Sequence, residues 1–556
     1  MNHFTVRALV SLLIAIPFLT GAEPADQAGK GQAPATAPAA AALRRIVIAE
    51  TMEQAAALPP AAAGEYLVVA DSLAFLNRAE LEKRLIGGKG APITEGLLVK
   101  INQVIEGLVR ATEDPLAAAV IPAQNIDGGI VTVTLTLGRY REIKFQGNRW
   151  YSEALLREKL QIESGRTIRM STLDQAIGTT NSAYRNVKVH IDPIPNSTEA
   201  NLIVSVQDKL PLRIIGMADN AGNEILGKTR FIGGVSYANL WGRDHSISYQ
   251  YITSEKYRNF AGHIMDYTMP LPRQQTVNIS AAFIEATPTF YDGLLAQDGK
   301  NISVEAKYSR PLRLGHRDFD WFASAGFKET NNNLEFGGES VLANKADIFQ
   351  VITGLSTVIR DSRGGWALSG TITYSPGNVN SRNTTALFDD SRLGAKANYV
   401  VGNLSLQRLL KLGGGWELFT RATVQRASGN LLSSEQFNMG GASTVRGYRE
   451  NSVSGDHGIS LSSELNSPVW SRSGAKWREL RLNELRGLIF YDLAKVGIDR
   501  ITVNDQPTPA LASVGVGLRA RFSNHFSAQA DYGWKLLRSP RDTDAGRGHV
   551  KGSFSY

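Results

Sequence analysis

One segment of the chain matches the spacing of a nucleotide-binding loop. The run Gly222 to Thr229 fits the pattern G-x-x-x-x-G-K-[ST], in which backbone N–H groups and the lysine hold phosphates. That chemistry requires a helix directly after the loop, because the helix N-terminus faces the phosphates. The residues that follow, Arg230 to Tyr237, have no helical pattern and look like a strand. We therefore interpret the segment as a hairpin between two strands.

Other signatures of catalysis or cofactor binding are missing from the sequence. It contains neither G-x-S-x-G nor H-E-x-x-H, its 8 His are scattered, and it has no Cys. The absence of Cys excludes a disulfide scaffold and a cysteine-ligated metal or redox site. The 60 Lys and Arg exceed the 52 Asp and Glu by only 8, and both signs are interleaved, so no basic face for nucleic acid is indicated. We predict that the protein is not an enzyme, with no cofactor, no metal and no nucleic-acid partner.

The largest structural signal is an alternation of apolar and polar residues from Leu212 to the last residue. Val277, Ile279, Ala281 and Phe283, for example, alternate with neighbours that include Asn278 and Ser280. A soluble sandwich or propeller also alternates, but its strands average about 5 to 6 residues, whereas these continue for about nine. The length favours a transmembrane β-barrel over 211–556.

The number of barrel strands follows from the length of this region. A spanning strand takes about 9 to 11 residues, so with connections of similar length about 16 antiparallel strands fit, and the pattern tolerates 14 to 18. Aromatic residues lie at strand ends, as in an interfacial girdle. The last strand carries Phe554 and Tyr556 on one face, which is typical of the C-terminal strand that directs membrane insertion. The predicted location is therefore the outer membrane, in contact with its lipid.

The N-terminus reads as an export signal. Met1 to Arg7 is positively charged, Ala8 to Leu19 is almost wholly apolar, and small residues follow to Ala22, so 1–22 is predicted to be a signal peptide. The alternative, a membrane anchor, needs about 20 apolar residues, and this run has only about twelve. Ala, Pro and Gly dominate the next stretch, and we expect 23–63 to be a flexible leader with at most a short helix near Met52.

Between the leader and the barrel, one supersecondary pattern occurs twice. The first copy, 64–139, has a strand, a helix capped by Asn77, a helix from Thr94 with apolar residues on one face, and two strands. The second copy, 140–210, repeats the order β-α-α-β-β, with Ser152 opening its first helix. Two units of one order, each about 70 residues long, indicate an internal duplication.

The segment Val445-Arg446-Gly447-Tyr448 and the elements around it resemble a known family. Further similar segments are Phe75 to Leu81, Ile121 to Gly129, Gly147 to Trp150 and Asn239 to His245. Together they resemble two-partner secretion transporters of the hemolysin secretion and activation type, within the POTRA-barrel superfamily. The resemblance implies two periplasmic α+β POTRA domains followed by a 16-stranded transmembrane β-barrel.

The resemblance also implies a role for the tetrad. In the family the tetrad lies on a long loop inside the barrel lumen, and its Arg pairs with an Asp of an F-x-D motif on a later strand, which Phe490 and Asp492 match here. A guanidinium offers a planar fork suited to one carboxylate, so we expect Arg446 to pair with Asp492. The alternative is a solvated lumen charge. Two residues on, the family usually has Gly where this chain has Ala494, which leaves the backbone approach at that strand open.

The implied function is transport of an unfolded exoprotein from the periplasm through the barrel. The exoprotein would add to a strand edge or dock between helix and sheet of a POTRA domain, and the alternative for each apolar candidate is core packing. The candidate positions are Leu97, Ile101, Ile105, Val187, Val189 and Ile191. Barrel assembly machinery is the expected partner for insertion of the protein itself. An assembly factor of the same superfamily is the alternative function, although such relatives more often carry three to five POTRA domains. No amphipathic plug helix is visible in the leader.

Overall fold

The computed structural model describes the chain from residue 41 onward with short gaps. The described residues are 41–59, 64–223, 226–287, 289–290, 295–315, 317–336, 339–470, 476–477, 480–502, 510–538 and 543–556. The predicted signal peptide 1–22 and the first part of the predicted leader lie outside these residues. The chain forms two compact units, one ending at Leu137 and one beginning at Gly138.

The first unit is a four-stranded sheet with helices. Its elements are β1 (Arg45–Ala49), α1 (Met52–Ala56), β2 (Leu67–Val69), α2 (Arg78–Leu85), α3 (Glu95–Thr112), β3 (Ala118–Val120) and β4 (Ile130–Thr136). The strand order is β2-β1-β4-β3, with β1 parallel to both β2 and β4. The Asn77 side chain accepts the Glu80 N–H at 3.1 Å and Thr94 Oγ1 accepts the Leu97 N–H at 3.3 Å, so both helices begin at capping residues.

The expected boundary of this domain at residue 64 is wrong. Arg45–Ala49 forms β1 in the middle of the sheet, and α1 contains Met52, so part of the predicted leader 23–63 belongs to the domain. Ile46 and Ile48 are fully buried in the core. Five residues are a weak periodic signal beside an Ala- and Pro-rich stretch, and only pairing with two distant strands fixes them as a strand.

The second unit begins with a smaller α+β domain. It contains β5 (Arg139–Gln146), α4 (Glu153–Leu160), α5 (Met170–Thr180), β6 (Arg185–Pro193) and β7 (Glu199–Asp208), in the sheet order β5-β7-β6. Ser152 Oγ accepts the Leu155 N–H at 3.3 Å and caps α4. The β-α-α-β-β order predicted for this copy matches these elements.

A closed barrel follows. Its elements, with the loop elements between them, are β8 (Leu212–Asp219), β9 (Arg230–Leu240), β10 (His245–Ser254), β11 (Phe260–Leu271), β12 (Gln275–Ala286), β13 (Thr289–Phe290), β14 (Leu295–Leu314), β15 (Arg317–Phe336), β16 (Glu339–Asp361), β17 (Gly364–Ser375), α6 (Thr385–Ser391), β18 (Tyr399–Lys411), β19 (Glu417–Ala427), β20 (Phe437–Met439), β21 (Val453–Gly455), β22 (His457–Asn466), β23 (Lys476–Trp477), β24 (Leu480–Gly497), β25 (Ala510–Phe522), β26 (Phe526–Lys535) and β27 (Gly546–Ser555).

Sixteen long antiparallel strands form the wall within the described residues, which confirms the predicted fold class. They are β8–β12, β14–β19, β22 and β24–β27. The barrel closes where β27 pairs with β8, with Phe554 opposite Gly216. Strands β14, β15 and β16 have 20, 20 and 23 residues, more than the nine or so expected, so they extend beyond what a bilayer crossing of about 9 to 11 residues requires.

The alternation in sequence becomes an outer and an inner face of the wall. Ile372 on β17 and Leu404 on β18 are exposed on the outside, while their neighbours Thr371 and Asn403 point inward. The predicted hairpin at Gly222 joins β8 to β9, and a strand follows it where a nucleotide-binding loop would need a helix. Among the described residues, no helix is both long enough and apolar enough to cross a bilayer.

Candidate functional site

The loop of residues 428–456, between β19 and β22, lies against the inner face of the barrel wall. Its strands β20 and β21 form a short hairpin in which Phe437 pairs with Gly455. Apolar side chains of the loop pack with the inner face of β24 and β25. This buried cluster consists of Phe437, Met439, Val445, Tyr448, Val453, Ala494, Val496 and Leu511. The packing holds the tetrad Val445 to Tyr448 against the wall.

Arg446 contacts Asp492 through three hydrogen bonds. Its Nε donates to Asp492 Oδ2 and its Nη2 to Asp492 Oδ1, both at 2.8 Å, and its backbone N–H donates to Oδ2 at 3.1 Å. Both side chains are almost fully buried. The guanidinium therefore forms a fork-to-fork pair with the carboxylate, the strongest geometry for such a contact.

Further groups surround the Arg446 guanidinium. Glu464 Oε1 accepts from Nη1 at 2.5 Å, and Ser462 Oγ donates to Asp492 Oδ1 at 2.7 Å. The guanidinium carbon lies 3.5 Å from the centre of the Phe490 ring, which is a cation–π contact. Within the F-x-D motif, the Phe490 ring thus packs on the flat face of the Arg446 guanidinium, and the Asp492 carboxylate accepts hydrogen bonds from its edge.

The tetrad glycine lies where two backbones meet. Gly447 has φ +90°, and a Cβ there would lie 2.7 Å from the carbonyl oxygen of Gly533 on β26. A Cβ on Gly533 would in turn lie 2.7 Å from the Gly447 nitrogen. The Gly447 N–H donates to His549 Nε2 at 3.1 Å. The loop and β26 can therefore approach this closely only with glycine at both positions. Gly447 is needed for its positive φ, and neither residue has room for a Cβ.

Tyr448 fixes the other side of the loop. Its hydroxyl lies 2.8 Å from the Ala512 carbonyl oxygen and 2.6 Å from that of Leu537. The Lys535 ammonium lies 5.2 Å from the centre of the Tyr448 ring. Tyr448 is fully buried, so its ring fills space between loop and wall while its hydroxyl contacts backbone groups.

The departure at Ala494 does not prevent close packing. Its methyl group is fully buried within the cluster that holds Val445 and Tyr448. The strand approaches the loop closely elsewhere, at Gly455, where a Cβ would lie 2.6 Å from the Gly497 carbonyl oxygen. The tight contact between loop and β24 is therefore made three residues further along.

A second ionic centre, at Asp456, was not identified from the sequence. The fully buried carboxylate pairs with Arg392 at 2.7 Å and accepts the N–H of Leu431 at 2.9 Å and of Asp499 at 3.0 Å. These three partners lie in the loop after β17, the tetrad loop and the loop after β24. The Asp456 carboxylate thus connects these three loops.

Sequence reasoning also missed Glu464, Gly533 and His549. Gly533 carried a usable signal, since an isolated Gly at an inward position of a strand indicates close backbone approach. Glu464 is a charged residue at an inward position of β22, which also could have been noted. His549 gave no such signal, because only the barrel closure brings β27 to the tetrad.

The candidate exoprotein-binding residues occupy two kinds of position. Ile101 and Ile105 are buried in the core of the first unit and Leu97 packs partly against it, so the two isoleucines are not available to an incoming chain. Val187 is buried as well, whereas Val189 and Ile191 are partly exposed. All three lie on β6, which is an edge strand. The edge itself is therefore the remaining candidate surface.

The second α+β domain is joined to the turn after β9. Arg185 forms two hydrogen bonds to the Asp244 carboxylate, at 2.7 and 2.9 Å, and Lys159 adds an ion pair at 2.7 Å. Asn239 Nδ2 also donates to the Trp150 carbonyl oxygen at 2.9 Å. Burial alone would raise the pKa of Asp244, but the bonds from Arg185 and Lys159 outweigh it and lower the pKa below its ordinary value.

The predicted insertion residues lie at the barrel seam. Phe554 packs on Phe526 with ring centres 5.0 Å apart, and Tyr556 stacks on His525 at 5.4 Å. The Tyr556 N–H donates to the Ile214 carbonyl oxygen at 2.9 Å. Their part in membrane insertion stays a prediction.

Comparison with known proteins gives a consistent picture. The model of the family "Haemolysin secretion/activation protein ShlB/FhaC/HecB" matches residues 198–520. The heme/hemopexin transporter protein HuxB of Haemophilus influenzae is 22% identical over 470 residues, covering 81% of this chain and 78% of HuxB.

Two solved structures show the same fold. CdiB from Escherichia coli has a TM-score of 0.70 at 15% identity, covering 95% of this chain and 93% of that one. BamA from Haemophilus ducreyi, lacking POTRA domains 1-3, has a TM-score of 0.54 at 14% identity, covering 86% and 97%. These likenesses show the fold alone, whereas the family match is to a secretion/activation protein.

Proposed function

The chain belongs to the haemolysin secretion/activation protein family ShlB/FhaC/HecB, and we propose that it receives an unfolded exoprotein in the periplasm and carries it through its barrel to the cell surface. It is a two-partner secretion transporter. Its barrel lies in the outer membrane, with the POTRA domains in the periplasm. The relative HuxB is named a heme/hemopexin transporter protein, and the proposed cargo of this chain is an unfolded secreted polypeptide.

The observation that carries the proposal is the loop bound to the inner wall through Arg446 and Asp492. The tetrad is bound to the wall at β22 and β24–β27, while Glu435, nearer the start of the loop, accepts hydrogen bonds from Lys328 on β15 and Gln350 on β16. An ion pair with additional hydrogen bonds gives the loop one defined position. In the proposed mechanism Arg446 and Asp492 keep the loop against one side so that a polypeptide passes along the other.

Recognition is proposed at the edge of the second POTRA domain. Strand β6 has β7 on one side only, and an extended chain can add to its other side through main-chain hydrogen bonds. The Val187 N–H already donates to Asn181 Oδ1 at 2.6 Å, which leaves the part of the strand around Val189 and Ile191 for the incoming chain. Such bonds need no fixed sequence in the exoprotein.

The transport step needs no catalytic group. Among the described residues no cluster of His, Asp or Glu has the arrangement of a metal site. The driving force is proposed to be folding of the exoprotein outside the cell. Outer-membrane lipid and, for insertion of the chain itself, the barrel assembly machinery complete the proposed partners.

The test compares a deletion strain with the same strain carrying the wild-type gene. Proteins of the culture medium and of the outer membrane are quantified together. Loss of one large protein from the medium, with other barrels unchanged, is expected and identifies the exoprotein. A general decrease of other outer-membrane barrels would instead support the assembly function and refute secretion.

A further inference from the structure

The inner wall of the barrel has two chemically different sides. On the side of β22 and β24–β27, polar groups such as Glu464, Asp492 and His549 are bound to the tetrad loop. On the side of β16–β19, Arg421 lies beside Gln407, and Ile352, Gly354 and Ala367 occupy further inward positions, while the other inward positions in the middle of the wall carry hydroxyl and amide side chains. These are Ser356, Ser369, Thr371, Thr373, Asn403, Ser405, Gln407 and Thr423, and we refer to them as the hydroxyl strip.

Strand register shows that the hydroxyl strip is one continuous surface. Ser356 pairs with Ser369, Ser369 with Ser405, and Ser405 with Thr423, on four adjacent strands. Thr371 pairs with Asn403, which pairs with Gln425. Because paired residues share a face of a sheet, all of them point to the same side.

That side is the lumen. The Gln425 amide donates to the Glu435 and Asp456 carbonyl oxygens of the tetrad loop, at 3.1 and 3.3 Å, so this face of the wall looks inward. The alternate residues Ile372, Leu404 and Val424 are apolar and exposed on the opposite face. The hydroxyl strip therefore lines the barrel interior.

The side chains of the strip are not used by the fold. Within the described part of the chain, none of the eight makes a side-chain hydrogen bond or an ion pair. All are partly exposed. On the far wall, by contrast, Ser527 and Ser553 lie 2.6 Å apart and Ser462 donates to Asp492, although within the described residues the buried Ser513 hydroxyl has no partner. A lumen surface of unpaired hydroxyl and amide groups is available to a ligand that can both donate and accept hydrogen bonds.

An extended polypeptide is such a ligand. Each of its residues has a backbone N–H and a backbone C=O group. In a narrow lumen these groups lose hydrogen bonds to water and need other partners. Neutral hydroxyl and amide groups replace those water contacts for any sequence, and they hold neither acidic nor basic side chains by charge. Arg421 adds one positive charge beside Gln407, whereas a wall charged along its whole length would retain segments of opposite sign. The strip suits a chain that must keep moving.

We propose that the hydroxyl strip is the track along which the unfolded exoprotein slides through the lumen. The inference rests on the proposed function and adds the side of the barrel that the chain follows. The outer end of the track lies beneath the buried cluster that contains Phe388, Tyr399 and Leu431, so this cluster must move when the chain leaves.

Photo-cross-linking in secreting cells tests the track. The photoreactive residue p-benzoylphenylalanine replaces Thr371 on the strip, Gln529 on the inward face of β26, or Leu404 on the outer face. The exoprotein identified by the deletion comparison is expected to form an adduct at position 371 at least tenfold more strongly than at 529 or 404. Equal or stronger adducts at 529 overturn the proposal.

A second set of variants tests the hydroxyl groups without a bulky probe. Ser369→Ala, Thr371→Val, Thr373→Val and Ser405→Ala are combined, because they remove hydroxyls and change shape little. The expected result is a decrease of at least threefold in secreted exoprotein, with an unchanged shift on gels between unheated and boiled barrel. The matched control, Ser527→Ala with Ser553→Ala, secretes as the wild type does.

The outcomes separate this inference from the function on which it rests. If no exported protein depends on the wild-type chain, the proposed function fails. If export depends on the chain but is unaffected by the combined strip variant, and position 371 forms no adduct, the function stands and the track is refuted.

Discussion

At the scale of residues, Arg446 is surrounded by more negative charge than it can neutralise. Asp492 and Glu464 both lie within hydrogen-bonding distance, and Asp531 lies 4.0 Å away, paired with Arg519 at 2.7 Å. Burying a charge is costly unless a partner of opposite charge compensates for it. Removal of one partner therefore destabilises the protein by more than the intact ion pair contributes to its stability. Sequence could predict the Asp492 contact through the motif, but not Glu464, because the closeness of β22 to the tetrad depends on barrel register.

Replacement of Arg446 by Lys tests the geometry of the fork. Lys keeps the charge but presents one ammonium, so it cannot bond both Asp492 oxygens and Glu464 together, and the loss is about 2 kcal/mol in loop anchoring. We expect faster protease cleavage within 428–456 in the purified protein. Arg421→Lys, an exposed inward residue of β19, is the control and should match the wild type. If the loop 428–456 is equally protected from protease in both variants, a positive charge at position 446 is sufficient to anchor the loop and the fork geometry is not required.

Gly533→Ala tests the contact between the two backbones. The added methyl group would lie 2.7 Å from the Gly447 nitrogen and 2.8 Å from the Arg446 carbonyl carbon, so loop or strand must shift. Overpacking of this kind costs about 1–3 kcal/mol. Thermal unfolding of the barrel in detergent should occur at a lower temperature. Gly552→Ala, where no atom lies within 4 Å of the new Cβ, should leave the unfolding temperature unchanged, and an equal decrease in both variants would contradict the account.

At the scale of elements, ion pairs join parts that the sequence shows only as separate patterns. Arg185 and Lys159 join the second POTRA domain to Asp244 in the turn after β9, and Asp456 joins three loops. The sequence predicts helix starts such as Asn77 and Ser152, since capping is local. It does not predict β1, because that strand is defined by parallel partners about 20 and 85 residues away along the chain.

The Asp244 joint should weaken in acid. Because Asp244 has a lower pKa when folded, its contribution to stability is complete above its ordinary pKa of 3.8 and is lost as pH falls through the folded value. Spin labels on cysteines introduced at Lys188 and Lys411 should give a narrow distance distribution at pH 7 and a broad one at pH 3. The Asp244→Asn variant should give a broad distance distribution at both pH values. The control Asp192→Asn, on β6, should give the same distributions as the wild type. A narrow distribution for Asp244→Asn would show that the carboxylate does not hold the joint.

The three-loop contact at Asp456 should control the resting pore. Arg392→Ala leaves the buried carboxylate without its cation, at a cost of about 3 kcal/mol, the low end for a broken buried pair because backbone N–H groups still bind Asp456. We expect longer and more frequent open events in planar bilayers. Arg426→Ala, a nearby exposed residue of β19, should conduct as the wild type does. Unchanged conductance in Arg392→Ala would mean that another contact closes the pore.

At the scale of the whole molecule, the architecture was largely readable from the sequence because its signals are repeated. Sixteen strands with one alternation, and two copies of one α+β order, give many independent indications of the same fold. The sequence does not predict which residues face one another across the lumen, because this depends on how the barrel closes between β27 and β8. The hydroxyl strip consists of common Ser, Thr and Asn residues that acquire meaning only from strand register.

The most direct test of the central claim is a double-mutant cycle on secretion. Cells expressing the wild type, Arg446→Ala, Asp492→Ala or both are compared for exoprotein in the medium at equal barrel levels. If the two residues act as one anchor, each single variant loses most secretion, and the double variant secretes at least as much as Arg446→Ala, because the fully buried Asp492 carboxylate is no longer left without its cation. Wild-type secretion by the single variants, or losses that multiply in the double variant, would contradict the account.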